Sequence, residues 1–166
     1  LVYWHDWSGL LHGLVAAVGR RDRAGLAVVR PALDAFTTAG AIVGLTHFQC
    51  EYAAACLVHH EIDAARNALA AARDLVAHTG NAYHEPEIHR LEAEALLIDR
   101  GAAAIDEARR GFERARDQAR DRGAVALQVR SLTADVGAAK RLGHPCTAQA
   151  AQLARGLSDY PLTPIP

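Results

Sequence analysis

The chain has 166 residues and a formal net charge of -1, and 51% of its residues are hydrophobic while only 5% are aromatic. This balance excludes the strong positive field that draws in nucleic acid or an anionic membrane. Alanine dominates the apolar set and β-branched and aromatic residues are sparse, so the composition points to closely packed helices.

A first helix is predicted from Leu11, Leu14, Val15 and Val18, whose spacing marks one apolar face. Gly19 to Arg23 reads as a turn. Leu26, Val29, Leu33 and Phe36 form a second narrow stripe, ended by Gly40. Pro31 falls inside that helix and should kink it. The pattern resumes with Leu45, Phe48, Tyr52 and Ala55. A turn at His59 to Glu61 follows, then a stripe of Ile62, Ala65, Leu69, Ala72 and Val76 closed by Gly80. A third unit opens at Glu85-Pro86-Glu87, where an early proline and acidic neighbours suit a helix start. Its second helix carries Ile105, Ala108, Phe112, Ala115 and Ala119 on one face. A fourth unit starts after Gly123 with Val125, Val129, Leu132 and Val136. Its second half, Cys146 to Leu157, fits poorly, as the end of an array does when its outer face meets water. The proline-rich segment 161–166 predicts an extended tail.

The units repeat. Gly13, Ala53 and Ala93 stand forty apart, as do Gly40 and Gly80, with Gly123 forty-three further on. Val29, Leu69 and Phe112 take the same steps of forty and forty-three, and so do Ala32, Ala72 and Ala115. The longer step implies a three-residue insertion, placed at Arg100 to Ala104. Small residues at Gly13, Ala53 and Ala93 let the two helices of a unit approach closely. A helix pair cannot bury its apolar face alone, so successive pairs stack. The expected fold is therefore all-α: antiparallel helix pairs in an α-α superhelix of about seven or eight helices. A single domain is expected over 1–160, with units near 1–40, 41–80, 81–123 and 124–158.

No chemistry stands out. Cys50, Cys56 and Cys146 are odd in number and not spaced as metal ligands, which fits a reducing cytoplasm. No apolar run approaches the ~18 residues of a membrane span, and no signal peptide is visible. His59-His60-Glu61, and Glu85 with His89 and His84, lack several convergent ligands, so no metal or cofactor is expected and these read as surface or turn residues. The run from Arg109 through Arg122 is interleaved with Asp106, Glu107, Glu113, Asp117 and Asp121. It reads as a solvated helix laced with local ion pairs, and direct nucleic-acid binding is not expected. Glu92 and Glu94 are two apart and face different ways. No nucleophile stands beside a base and no phosphate-binding Gly-Lys-Ser/Thr is present, so an enzyme is not expected. Lys140 is the only lysine among many arginines, which reads as coding bias in a GC-rich bacterial genome. The chain lacks an initiator Met and starts inside a helical pattern, so a piece of a larger protein is expected.

The order of small, small, bulky and small residues resembles the tetratricopeptide repeat, with a unit longer than its usual length of about thirty-four residues. Residues 83–97, Tyr-His-Glu-Pro-Glu-Ile-His-Arg-Leu-Glu-Ala-Glu-Ala-Leu-Leu, carry the most specific part of the likeness. Together with Ala65 to Gly80 and Ala108 to Gly123 they look like the repeat regions at the C-terminal end of large bacterial signalling ATPases and transcriptional regulators. The resemblance spans roughly residues 1–145. It implies a non-catalytic scaffold in signal transduction or transcription regulation, and a groove lined by the first helix of each unit. Carried over by register, that groove has three rows: Trp7, His47 and Glu87; Leu10, Cys50 and Arg90; Leu14, Ala54 and Glu94. It would be apolar at its N-terminal end and charged at the third unit. The bland reading leaves Trp7 and Leu14 in the core and pairs Arg90 with Glu87 or Glu94. The expected partner is a protein or peptide, including other domains of the same parent chain. A homodimer, a spacer module and a small-molecule sensor remain as alternatives.

Overall fold

The computed structural model describes residues 2–40 and 44–159, with side chains for 7–40 and 44–155. The expected tail at 161–166 lies outside the described residues. In chain order the helices are α1 (Val2–Leu14), α2 (Ala24–Thr38), α3 (Leu45–Val58), α4 (Ile62–Thr79), α5 (Glu85–Arg100), α6 (Ile105–Asp121), α7 (Val125–Arg141) and α8 (Thr147–Asp159). No strand occurs among the described residues. The poorly patterned end thus contributes a helix, α8, and the expected insertion is the 3₁₀ turn Gly101–Ala104.

Local chemistry explains where these helices stop. Gly80 and Gly123 take φ of 70° and 65° just past α4 and α6, a left-handed conformation that only glycine adopts without strain. The Gly80 N–H donates to the Val76 carbonyl, satisfying one of the free acceptors of the last turn. Pro86 sits in the first turn of α5, where a missing N–H costs nothing. Pro31 is accommodated inside α2, which runs unbroken from Ala24 to Thr38.

Each helix packs against the next in sequence, so α1–α2, α3–α4, α5–α6 and α7–α8 stack as antiparallel pairs. The odd helices also touch in succession, α1 with α3, α3 with α5 and α5 with α7. No such contact joins α2 with α4, α4 with α6 or α6 with α8 among the described residues. The odd helices therefore form the inner layer of the array and the even helices the outer one.

Burial follows the repeat register. Val29, Leu69 and Phe112 are 0%, 2% and 0% exposed, and Ala32, Ala72 and Ala115 are 8%, 0% and 0%. Small residues set how closely the pairs approach. A Cβ added at Gly25 of α2 would lie 2.5 Å from the Gly13 carbonyl oxygen of α1. One added at Gly111 of α6 would lie 2.9 Å from the Ala93 Cβ of α5. Gly13 and Ala93 thus hold the close-packing positions that the repeat predicts, and Ala53 is fully buried.

The first helix differs from its predicted face. Leu11, Val15 and Val18 point outward, and the inward line is Leu10, Gly13 and Ala17. The backbone also widens into a π-helical turn over Val15–Gly19. The basic run on α6 departs as well: Arg116 is buried, and both Arg109 and Arg116 reach Asp135 on α7 instead of lining a wholly solvated face. His89, expected at the surface, is buried and lies 3.6 Å from Glu92.

Candidate partner-binding face

The groove rows lie on α1, α3 and α5, and the structure divides their residues into two groups. Trp7, Leu10 and Leu14 belong to an apolar cluster at the N-terminal end. The Trp7 ring meets Phe36 and Phe48 edge-on, with centroids 5.5 Å and 4.8 Å away. Such pairs stabilise a core beyond their buried area. Leu10 is fully buried, so it offers no surface to a partner. Cys50 on α3 is fully buried too. Burial pushes its thiol up to about 12, which leaves the weakly nucleophilic neutral form at neutral pH.

Glu87, Arg90 and Glu94 form the second group. Arg90 donates from Nε and Nη2 to the two Glu87 oxygens, at 3.0 Å and 2.6 Å, and from Nη1 to Glu94 at 2.6 Å. Glu87 is 2% exposed and Arg90 7%, so this is a buried ion pair, while Glu94 remains half-buried. Burial works against the Arg90 charge, but the hydrogen bonds and fields of Glu87 and Glu94 hold its pKa above the usual arginine value. The expectation that Arg90 pairs with Glu87 or Glu94 is met by both at once, and burial makes the pairing structural.

Two neighbours extend this pair across the inner layer. Arg130 on α7 places Nη2 2.7 Å from the Glu87 carboxylate and Nη1 3.3 Å from Glu51 on α3. His47 lies one turn before Glu51, with Nδ1 3.9 Å from its carboxylate. The His47 ring also lies 4.8 Å from that of His84. Burial and then the nearby His47 lower the His84 pKa, which favours the neutral ring. A charged ladder thus runs from α3 through α5 to α7, with His47, Glu51, Glu94 and Arg130 at its accessible edge.

Arg130 and Glu51 escaped the sequence reading, although Arg130 stands forty-three residues after Glu87 and so continues the first groove row. A second signal was also present. Arg73 donates to Glu92 at 2.8 Å and Arg116 to Asp135 at 3.2 Å. Both pairs are nineteen residues apart, and the second is the first displaced by forty-three. Each joins the outer helix of one unit to the inner helix of the next, so the repeat includes a recurring ion pair between units.

Among the described residues no helix is long and apolar enough to cross a membrane. No family model matches the chain, and no curated protein or solved structure matches it.

Proposed function

We propose that the chain is a tetratricopeptide-like repeat region that binds a protein or peptide along its inner layer without catalysing a reaction. The observation that carries this reading is the unbroken succession of odd helices, which places side chains from three units on one continuous face. His47, Glu94 and Arg130 on that face offer both signs of charge and an aromatic ring, a combination that suits an extended or helical peptide with charged side chains. Glu51 orders His47 and Arg130, Glu87 also holds Arg130, and Arg90 holds Glu94, which lowers the entropy lost on binding because fewer rotamers remain to be fixed. A small-molecule sensor would be favoured by an apolar chamber beside Trp7, but that ring is packed against Phe36 and Phe48. A regulatory place in a larger signalling ATPase or transcriptional regulator of a bacterial cytoplasm fits the same reading.

The test is site-specific photocrosslinking of the full chain in cell extract. A crosslinker replacing His47 or Arg130 should capture a discrete partner, and one replacing exposed Arg110 on α6 should not. Equal capture from both layers, or none from the inner one, would reject the inner-face reading.

A further inference from the structure

Because the outer helices do not touch one another among the described residues, a groove floored by α3 runs between α2 and α4, and one floored by α5 runs between α4 and α6. The two grooves are built from equivalent positions that carry different chemistry. Leu33, Gln49 and Tyr52 of the first correspond, forty residues on, to Arg73, His89 and Glu92 of the second. Ala68 and Ala71 correspond, forty-three on, to Gly111 and Arg114. Around Tyr52, whose buried phenol ring fills the space, the first groove leaves a hollow of only about 100 Å³. Around Glu92, which is shorter and tied to Arg73, the second holds a cavity of about 410 Å³. Farther along the first groove a hollow of about 300 Å³ lies between Leu45, Leu75 and His78, but no arginine borders it.

The charges around the larger cavity decide what it can hold. Both bordering carboxylates are already matched. Glu92 accepts from Arg73 at 2.8 Å and lies 3.6 Å from the buried His89, and Glu107 accepts from Arg100 at 2.9 Å. Arg66, also at the border, donates to Asp99 at 2.7 Å. Arg114 alone of the bordering charged side chains makes no hydrogen bond or ion pair among the described residues. The bordering ion pairs cancel, which leaves one uncompensated guanidinium on α6. Between it and α4 lie the apolar side chains of Leu69, Ala93 and Leu96.

We propose that the cavity between α4 and α6 binds a small organic monocarboxylate, with its carboxylate on Arg114 and its hydrocarbon body against Leu69, Ala93 and Leu96. The volume lies in the range of small-molecule sites, which combine apolar walls with a few polar anchors. The forked N–H donors of an arginine match a carboxylate. A neutral ligand leaves Arg114 unmatched, and a dianion brings more charge than the one free guanidinium balances. The bound molecule joins α4 to α6, which otherwise do not touch among the described residues. This site lies on the outer side of the array, so it stands or falls independently of the inner-face reading.

The probes are 3-phenylpropionate, its uncharged amide 3-phenylpropanamide, and the dianionic 2-phenylethylphosphonate, titrated into the full chain and followed by backbone amide NMR shifts. The carboxylate should shift the signals of Ala93, Gly111 and Arg114 saturably and bind at least about fivefold more tightly than the amide. Arg114→Gln should bring the two to equal affinity with an unchanged melting temperature, since the side chain is exposed. Arg73→Leu/Glu92→Tyr installs the residues of the first groove and should abolish binding of both. Absence of saturable shifts, equal binding of acid and amide to the wild type, or an Arg114→Gln chain that still prefers the acid would overturn the proposal. So would shifts centred on Leu75 and His78, which would mark adsorption to the apolar hollow of the first groove. Tighter binding of the phosphonate than of the carboxylate would overturn the assignment to a monocarboxylate.

Discussion

Replacing Arg90 by methionine isolates the energetics of the buried ion pair. Methionine keeps most of the apolar stem and removes three donated hydrogen bonds, two to Glu87 and one to Glu94. Glu87, at 2% exposure, cannot recover water. A buried charge stranded in this way costs about 3–5 kcal/mol. Arg130 still lies 2.7 Å from Glu87, so the expected loss falls at the lower end, about 3 kcal/mol. At about 2–4 °C per kcal/mol for a domain of this size, the melting temperature should drop by about 6–12 °C. The companion Glu87→Gln/Arg90→Met removes both buried charges and should recover about half of the loss or more, because only the half-buried Glu94, which still reaches water, then lacks its arginine. Chemical denaturation of the wild type, both single variants and the double variant supplies the cycle, with circular dichroism and fluorescence as two probes of the same transition. A loss under about 1 kcal/mol for Arg90→Met, or a double variant as unstable as that single one, would refute the reasoning.

Two further predictions concern packing and pH. Gly25→Ala should destabilise by about 1–3 kcal/mol, because its Cβ would meet backbone of α1 at 2.5 Å. Gly137→Ala should stabilise by about 0.5–1 kcal/mol, since its Cβ meets only the Arg141 guanidinium at 3.4 Å and helix propensity improves. Thermal unfolding that ranks the two the other way would contradict the close approach of α1 and α2. Glu92 and Asp135 share a register but titrate in opposite directions. Burial opposes the Glu92 charge, yet hydrogen bonds from His89 and Arg73 hold its pKa below 4.5, so its contribution is present above that value and is lost as pH falls through the folded one. Burial outweighs Arg116 and Arg109 at Asp135 and raises its pKa above 3.8, so its contribution is present below that value and is lost as pH rises through the folded one. Glu92→Gln should flatten the loss of stability on acidification, and Asp135→Asn should steepen it. Melting temperatures measured from neutral to acidic pH check the pair, and a shift in the same direction for both variants would refute the assignment.

The periodic core was legible without coordinates. Val29, Leu69 and Phe112, with Ala32, Ala72 and Ala115, were placed from spacing alone, and all are buried. Gly80 and Gly123 marked helix ends because a left-handed residue is a local requirement that one amino acid meets best. The first helix was misread because Gly13 and Ala17 carry little hydropathy signal, although they face inward, while Leu11, Val15 and Val18 carry much and face out. Charges were the least legible. Arg90 and Glu94 could be paired within their own helix, but the burial of Glu87 beneath Arg130, and of Asp135 between Arg109 and Arg116, depends on the neighbouring helix. Where the inward residues are large and apolar, periodicity tells which side of a helix turns inward, since that follows from the backbone's own geometry. Whether a charge on that helix stays in water depends on an opposite charge arriving from another, and only the tertiary structure brings the two together.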